Sequence, residues 1–329
     1  RPGPPAPAVL IGPAMGVRRG FYARFALFLR QQGFTVLTFD YRGIGGSAAG
    51  PSSPALHQWG EDDLHGAIAW LEERTGRPVV TVAHSVAAQL LGLCGNADRL
   101  AGIVLVTPQS GQWRLWDGWG RLRVASFWFV GIPVVTRLFG RLPGWTYGGA
   151  DLPAGVALEW ARWGRHRDYI LSHRPDTRAG FQRLVVPLLV YGAADDGFAP
   201  PRAVARIASW YGSVRRTERM LAPTADDPAV IGHFGFFDRR FAPTLWRETA
   251  GWLRAGAPEP IGDPPPEMRV TAIRHCGDSY FITTGDGRET PYWEKNIRLK
   301  IDSVETGPPA GVAVILGAGM GGDRFSVIF

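Results

Sequence analysis

The stretch "VVTVAHSVAAQ" (residues 79–89) sets a serine directly after a run of β-branched, apolar residues and before an apolar helical pattern. A strand that ends in a sharp turn around a serine, with a helix beyond it, lifts the hydroxyl clear of the backbone at the edge of a sheet. In the common form of that turn, glycine stands two residues before and two after the serine, because a Cβ at either place intrudes between strand and helix and pushes them apart. Here both places hold alanine, Ala83 and Ala87. Two questions follow. Does the chain supply partners for Ser85, and how are two extra methyl groups accommodated?

Outward from this stretch the chain alternates short strand-like runs with longer helical patterns. "AVLI" (8–11), "TVLTF" (35–39), "VVTV" (79–82), "GIVLV" (102–106) and "PLLVYG" (187–192) read as strands. "FYARFALFLRQQ" (21–32), "EDDLHGAIAWLEERT" (61–75) and "LWRETAGWLRA" (245–255) read as helices. Continuous apolar runs separated by helices predict a mostly parallel, doubly wound α/β sheet covered on both faces. Function in such sheets gathers at the carboxyl ends of the strands. Asp40, Ser85, Asp195, Asp196 and His233 all fall there.

Serine is a weak nucleophile unless a base takes its proton and a buried carboxylate orients the base. "VYGAADDGFAP" places Asp195 and Asp196 just beyond a strand, and "VIGHFGFF" places His233 in a glycine-flanked loop before the last helix. Ser85, one of the two aspartates and His233 therefore form a candidate set drawn from three strand ends.

Over roughly residues 5–255 the chain resembles the α/β-hydrolase superfamily, and within it bacterial serine hydrolases of the esterase, lipase and aminopeptidase-like kind. "PAMGVRRGFYARFA", "GFTVLTFDYRGIGGS", "AHSVAAQLLGL", "DDGFAP" and "IGHFGFFDRRF" carry the resemblance, in that order. It implies Ser85 as nucleophile, His233 as general base and Asp196 as the acid. Asp196 stands four residues before Pro200, with Asp195 as the alternative three residues after Gly192. The same resemblance makes His84 a supporting residue, and Asp40 in "DYRGIGGS" reads as a fixer of the loop beside the site. Asp226 and Asp227, near His233, are further candidates for the acid.

An oxyanion hole needs two N–H donors aimed at the developing charge. One is expected from the backbone of Val86, after the nucleophile, and the other from Ala14 or Met15 in "IGPAMG" (11–16). The implied reaction is hydrolysis of a carboxylic ester, less readily a thioester or amide, through an acyl-enzyme. Two other readings use the same residues: a catalytically altered scaffold that binds or reshapes a ligand, and an acyltransferase that passes the acyl group to an amine or alcohol.

Between "GIVLV" and "PLLVYG" lie about 75 residues without a clear strand, an insertion of the size that forms a cap. We place this cap at about residues 110–183. Seven of the thirteen tryptophans fall inside it. They either pack the cap onto the body or, through Trp113, Trp116 and Trp128, line a pocket for a hydrophobic or aromatic acyl group. The apolar segment "VASFWFVGIPVV" (124–135) is shorter than the roughly 20 residues of a membrane span, which predicts a buried helix or lid and no membrane span.

"APEPIGDPPPE" (257–267) carries five prolines in eleven residues, a linker composition. We therefore divide the chain into a hydrolase-like domain (1–256), a linker (257–266) and a small β-rich C-terminal appendage (267–329). In the appendage, "GAGMGG" (317–322) is followed by β-type residues rather than a helix, and so reads as a glycine-rich turn instead of a dinucleotide site.

The charge of +7 comes from arginines spread along the chain, since only Lys295 and Lys300 are lysine among 36 basic residues. Without a basic block or a recognisable motif, no nucleic-acid partner is expected. Histidines and carboxylates show no metal-ligand spacing, so neither metal nor cofactor is expected. Cys94 and Cys276 make no disulfide framework and favour a reducing compartment, with the cytoplasm as the default. The expected partner is a small molecule with a hydrophobic or aromatic part.

Overall fold

The computed structural model describes residues 6–47, 53–213, 215–223 and 230–255, together with the backbone of five strands beyond residue 269. Its contacts divide the chain into Arg1–Ala257 and Pro258–Phe329.

In the first unit, strands β1 (Ala8–Gly12), β2 (Thr35–Thr38), β3 (Val79–His84) and β4 (Gly102–Val106) form. A short antiparallel pair, β5 (Arg141–Leu142) with β6 (Leu152–Pro153), lies in the inserted region. β7 (Leu188–Ala193) and β8 (Arg216–Leu221) complete the main sheet. That sheet is parallel throughout, in the order β2-β1-β3-β4-β7-β8.

The four central strands are buried along their whole length, as expected of parallel strands covered on both faces. The pleat sorts their side chains. Val9, Ile11, Val80, Val82, Val104 and Val106 point to one face, where Phe25, Phe236, Trp246 and Leu253 close the core. Ala8, Leu10, Ile103, Leu105, Leu188 and Val190 point to the other, against Leu64, Ile68, Val86 and Leu90.

The covering helices follow the strands. They are α1 (Ala23–Gln31), α2 (Leu56–Gln58), α3 (His65–Thr75) and α4 (Val86–Leu90). Next come α5 (Gly118–Ser126), α6 (Ile132–Phe139), α7 (Ala154–Arg165) and α8 (Thr177–Arg183) in the insertion. α9 (Pro201–Ala208) and α10 (Arg247–Arg254) complete the set.

Three features differ from the sequence reading. Strand β8, "RTERML", was not anticipated, because its residues are mostly polar; as the outermost strand it needs no apolar face on its exposed side. The helix at 61–75 begins earlier, at Leu56, and passes through π-helical turns at Trp59–Leu64 before α3. Most consequentially, α5 and α6 join through π-helical turns at Phe127–Gly131 into one helical stretch, Gly118–Phe139. That stretch is 22 residues long, long and apolar enough to cross a membrane by length and composition, and most of it is exposed. The shorter segment 124–135 had been read as a buried helix or lid.

Cys94 is a buried free thiol, and burial pushes its pKa up to about 12.

In the second unit, β9 (Val270–Cys276), β10 (Ser279–Thr284) and β11 (Glu289–Trp293) pair antiparallel, as do β12 (Ala313–Ile315) and β13 (Ser326–Ile328). The proline-rich segment 257–266 and the glycine run 317–322 lie outside the described residues.

Candidate active site

Ser85 follows β3 directly and has φ 53° and ψ −110°. A non-glycine residue at positive φ costs on the order of 1–3 kcal/mol, held by its surroundings. Here the surroundings are specific: the Ser85 N–H donates to the Val106 carbonyl at 3.0 Å, and the Ser85 carbonyl accepts from Ala88 N–H at 3.1 Å. The turn thereby aims the hydroxyl away from the strand.

The second alanine of the turn, Ala87, is accommodated by a neighbour. β1 pairs with β3 in a register that sets Gly12 opposite Ala83, and a Cβ built on Gly12 would stand 2.8 Å from the Ala87 Cβ. Glycine on the adjacent strand thus leaves the volume that the Ala87 methyl occupies. Both alanines are fully buried.

The structure brings Ser85, His233 and Asp196 together. The Ser85 hydroxyl lies 2.8 Å from His233 Nε2, and His233 Nδ1 lies 2.7 Å from Asp196 Oδ2. A carboxylate only accepts, so Nδ1 carries the proton and Nε2 presents a lone pair to the hydroxyl. Asp196 is almost wholly buried, and its Oδ1 accepts from the N–H groups of Phe198 and Ala199 at 2.7 and 3.0 Å.

Asp195 does something else. It is exposed, and its two oxygens accept from Ile231 and Gly232 N–H at 2.8 and 2.9 Å. Gly232 has φ +53°, so the turn that presents His233 uses glycine's conformational freedom. One aspartate holds the imidazole; its neighbour holds the loop. Asp226 and Asp227 lie outside the described residues.

His84 also supports the loop. Its Nε2 lies 3.0 Å from the His233 carbonyl, which can only accept, so Nε2 carries the proton. Its Nδ1 then accepts from the Tyr22 hydroxyl at 2.8 Å, and that hydroxyl in turn accepts from Ala14 N–H at 2.8 Å. Burial, then the neighbouring His233, holds the His84 pKa well below the usual histidine value, so the ring is neutral and this proton count is self-consistent. Thr107 Oγ1 donates to the same His233 carbonyl at 3.1 Å. A continuous polar chain therefore runs from the loop after β1 to the main chain of His233.

Of the two loop residues considered as N–H donors, Ala14 is already engaged with Tyr22, and Met15 follows it. Val86 opens α4. Asp40 accepts from Arg19 and Gly46 N–H at 2.6 and 3.0 Å and so ties its loop together, as expected. His57 bonds Glu159 of α7 at 3.0 Å. Among the described residues no group of three or more His, Cys, Asp or Glu side chains could hold a metal ion.

The described chain from residue 8 to residue 219 matches the family model described as "Alpha/beta hydrolase family". The chain belongs to the alpha/beta hydrolase family. Solved structures agree on the fold. A soluble variant of monoglyceride lipase from Saccharomyces cerevisiae superposes with a TM-score of 0.57 at 12% identity, over 77% of this chain and 87% of that one. Paleococcus ferrophilus monoacylglycerol lipase gives 0.52 at 14% identity, over 77% and 96%. Haloalkane dehalogenase from Bradyrhizobium elkani gives 0.51 at 14% identity, over 76% and 91%. No curated protein sequence matches the chain.

This member of the alpha/beta hydrolase family also has residues around Ser85 that the sequence reading passed over. Beneath Ser85, the Gln89 amide donates to the Gln109 carbonyl and to Gln109 Oε1 at 2.8 and 2.9 Å, and Tyr169 of the cap donates to Gln89 Oε1 at 2.9 Å. Gln109 Oε1 stands 3.5 Å from the Ser85 hydroxyl, at the limit of a hydrogen bond. Among the described residues, the non-glycine residues with positive φ besides Ser85 are Thr107 and Tyr169, both in these networks. Positions one and three after the carboxyl end of β4 were the available signal for Thr107 and Gln109.

A second group is aromatic. Phe198 lies tilted against the His233 ring at 5.4 Å and Phe234 meets it edge-on at 5.1 Å, and Phe21 meets Phe234 edge-on at 5.9 Å. All three are substantially exposed. The cap tryptophans divide in role. The Trp116 indole donates to the Gly197 carbonyl at 2.9 Å, touching the acid loop. Trp128 donates to Gly111 and is enclosed by Trp160, Phe127 and Gly164 within the cap, while Trp113 lies edge-on to Phe129.

Proposed function

We propose that this protein is a serine hydrolase that cleaves a carboxylic ester with a hydrophobic acyl part through an acyl-enzyme. The observation that carries the reading is the unbroken hydrogen-bonded chain from the Ser85 hydroxyl through His233 to buried Asp196, on a backbone turn held at positive φ.

The steps follow from that geometry. Ser85 Oγ attacks the ester carbonyl carbon as His233 Nε2 takes its proton, and Asp196 stabilises the imidazolium. The oxyanion is held by the N–H of Val86 and that of Met15, since Ala14 N–H is bound to Tyr22. Each such donor contributes about 3 kcal/mol to the transition state. The tetrahedral intermediate collapses, His233 returns its proton to the departing alkoxide, and an alcohol leaves. Water then attacks the acyl-serine by the same steps in reverse, releasing the acid and restoring Ser85.

Phe21, Phe198 and Phe234 make the mouth beside His233 apolar, which favours a hydrophobic acyl or alkyl group over a charged one. Trp116 adds to that wall above the acid loop. The test is turnover of a short nitrophenyl ester by purified protein. We expect saturable hydrolysis that disappears in Ser85→Ala and in His233→Ala, with both variants folded. Turnover unchanged in Ser85→Ala, or absent from the folded wild type, contradicts the reading.

A further inference from the structure

The helical stretch Gly118–Phe139 is apolar on two faces, and only one of them is covered. Trp128, Ile132, Pro133 and Thr136 are buried, in a cap core that includes Val156, Ala157 and Ala161 of α7. The next stripe around the helix, Val130, Val134 and Leu138, faces outward, with Leu138 75% exposed, and Trp119 at the start of the stretch is 85% exposed. A helix that is apolar all round normally has both faces buried. A contiguous exposed apolar patch rimmed by charge marks a surface used for docking.

The rim is mostly basic. From residue 118 to residue 150 the chain contains Arg121, Arg123, Arg137 and Arg141 and no Asp or Glu, while Asp117 and Asp151 just outside that stretch pair with Arg121 and Arg141. On the flank of the exposed stripe, Phe129, Pro133 and Arg137 meet Leu158, Arg162 and Arg165 of α7 around a groove of about 300 Å³. Among the described residues, no carboxylate pairs with Arg123, Arg137, Arg162 or Arg165. Three guanidiniums share one concave site with no carboxylate paired to them among the described residues, and the Arg165 pKa is shifted down first by burial and then by Arg162 and Arg137. An apolar ridge beside such a groove matches a surface with a hydrocarbon interior and phosphate anions at its boundary.

We propose that the cap docks on the surface of a bilayer containing anionic phospholipid, with Val130, Val134 and Leu138 seated among the acyl chains and a lipid phosphate in the Arg137–Arg162–Arg165 groove. The helix lies on the membrane and does not cross it, because its Trp128–Ile132–Thr136 face is part of the cap core. The mouth of the site is adjacent: Trp116 bonds Gly197 of the acid loop, and the Arg123 guanidinium comes within 3.9 Å of where a Gly197 Cβ would stand. Docking in this way brings a hydrophobic substrate to the site from the lipid phase. The proposal concerns binding alone and stands whether or not Ser85 is a nucleophile.

The test is co-flotation of the full chain with vesicles of phosphatidylcholine alone, and of phosphatidylcholine and phosphatidylglycerol in equal parts. We expect strong binding to the mixed vesicles and weak binding to the neutral ones. Arg137→Gln and Arg162→Gln should each lower the partition coefficient on mixed vesicles about fivefold, equivalent to about 1 kcal/mol per charge. Val134→Ser with Leu138→Ser should abolish binding while the melting temperature is retained. Free inorganic phosphate at constant ionic strength should compete only weakly, since it cannot replace the apolar contact. Failure to bind either vesicle, equal binding to both, or full competition by phosphate overturns the proposal. So does a dimer in solution that Leu138→Ser converts to monomer, because the ridge would then be covered by a second copy.

Discussion

The strand-end site and the cap obey opposite rules. At the strand ends the polar groups around Ser85 are closed on one another. Asp196 accepts from three donors, the His233 carbonyl from two, and Tyr22 links His84 to Ala14. In the cap, among the described residues, Trp113 Nε1, Trp163 Nε1 and Thr136 Oγ1 are buried without a hydrogen-bond partner, several arginines lack a carboxylate, and an apolar helix face is exposed. The first region is complete in itself and holds strained backbone in place. The second carries surface whose physical chemistry points beyond the chain.

The adjacent aspartates give the sharpest way to break this contrast. Asp196→Asn leaves the imidazole without its orienting anion, and kcat should fall about ten-thousand-fold. Asp195→Asn removes charge from a loop contact and should cost about 1–2 kcal/mol, felt as no more than about tenfold in kcat/KM. Equal losses measured in parallel ester assays would erase the division of labour between them.

A smaller effect is expected at the floor of the elbow. Gly12→Ala forces a methyl against Ala87 and should destabilise the fold by about 1–3 kcal/mol, seen as a lower denaturation midpoint. Adding Ala87→Gly should restore most of that stability. Strict additivity of the two substitutions would show that Gly12 is not what accommodates the alanine.

The mildest test uses pH. The folded pKa of His84 is depressed, so below about 6.5 the unfolded chain binds a proton that the native chain refuses. Stability from this group is present above that pH and is lost as pH falls below it, by up to about 1.4 kcal/mol per pH unit. His173 is shifted the same way, by burial and His166, but it is only half-buried and its share is smaller. His84→Gln should flatten the decline in denaturant-measured stability between neutral and mildly acid pH. An unchanged slope would remove His84 from the account.

Much of the body was legible from residue order, because parallel strands with both faces covered are written as continuous apolar runs. Ser85 and the Asp195–Asp196 pair could be found at strand ends for the same reason, and His233 in the glycine-flanked loop before the last helix. Which aspartate holds the ring depends on one residue of chain direction after β7, which the motif spacing favoured but the residues alone did not decide. The role of Gly12 was hidden, because it arises from cross-strand register and not from the serine motif itself. β8 was missed since an edge strand escapes the apolar rule. The helix at Gly118–Phe139 was read as shorter and more buried than it is, because Arg123 and Arg137 interrupt the apolar run without ending the helix. Trp128 serves cap packing, whereas Phe198 and Phe234, unremarkable in sequence, flank the histidine.

The central claim is that Ser85 is a competent nucleophile despite the alanines on either side of it. Intact-mass measurement after exposure to a fluorophosphonate tests this directly. The account predicts a single adduct on Ser85, absent in Ser85→Ala and formed far more slowly in His233→Ala. A folded wild-type protein that gains no mass, or one that gains it elsewhere, would contradict it.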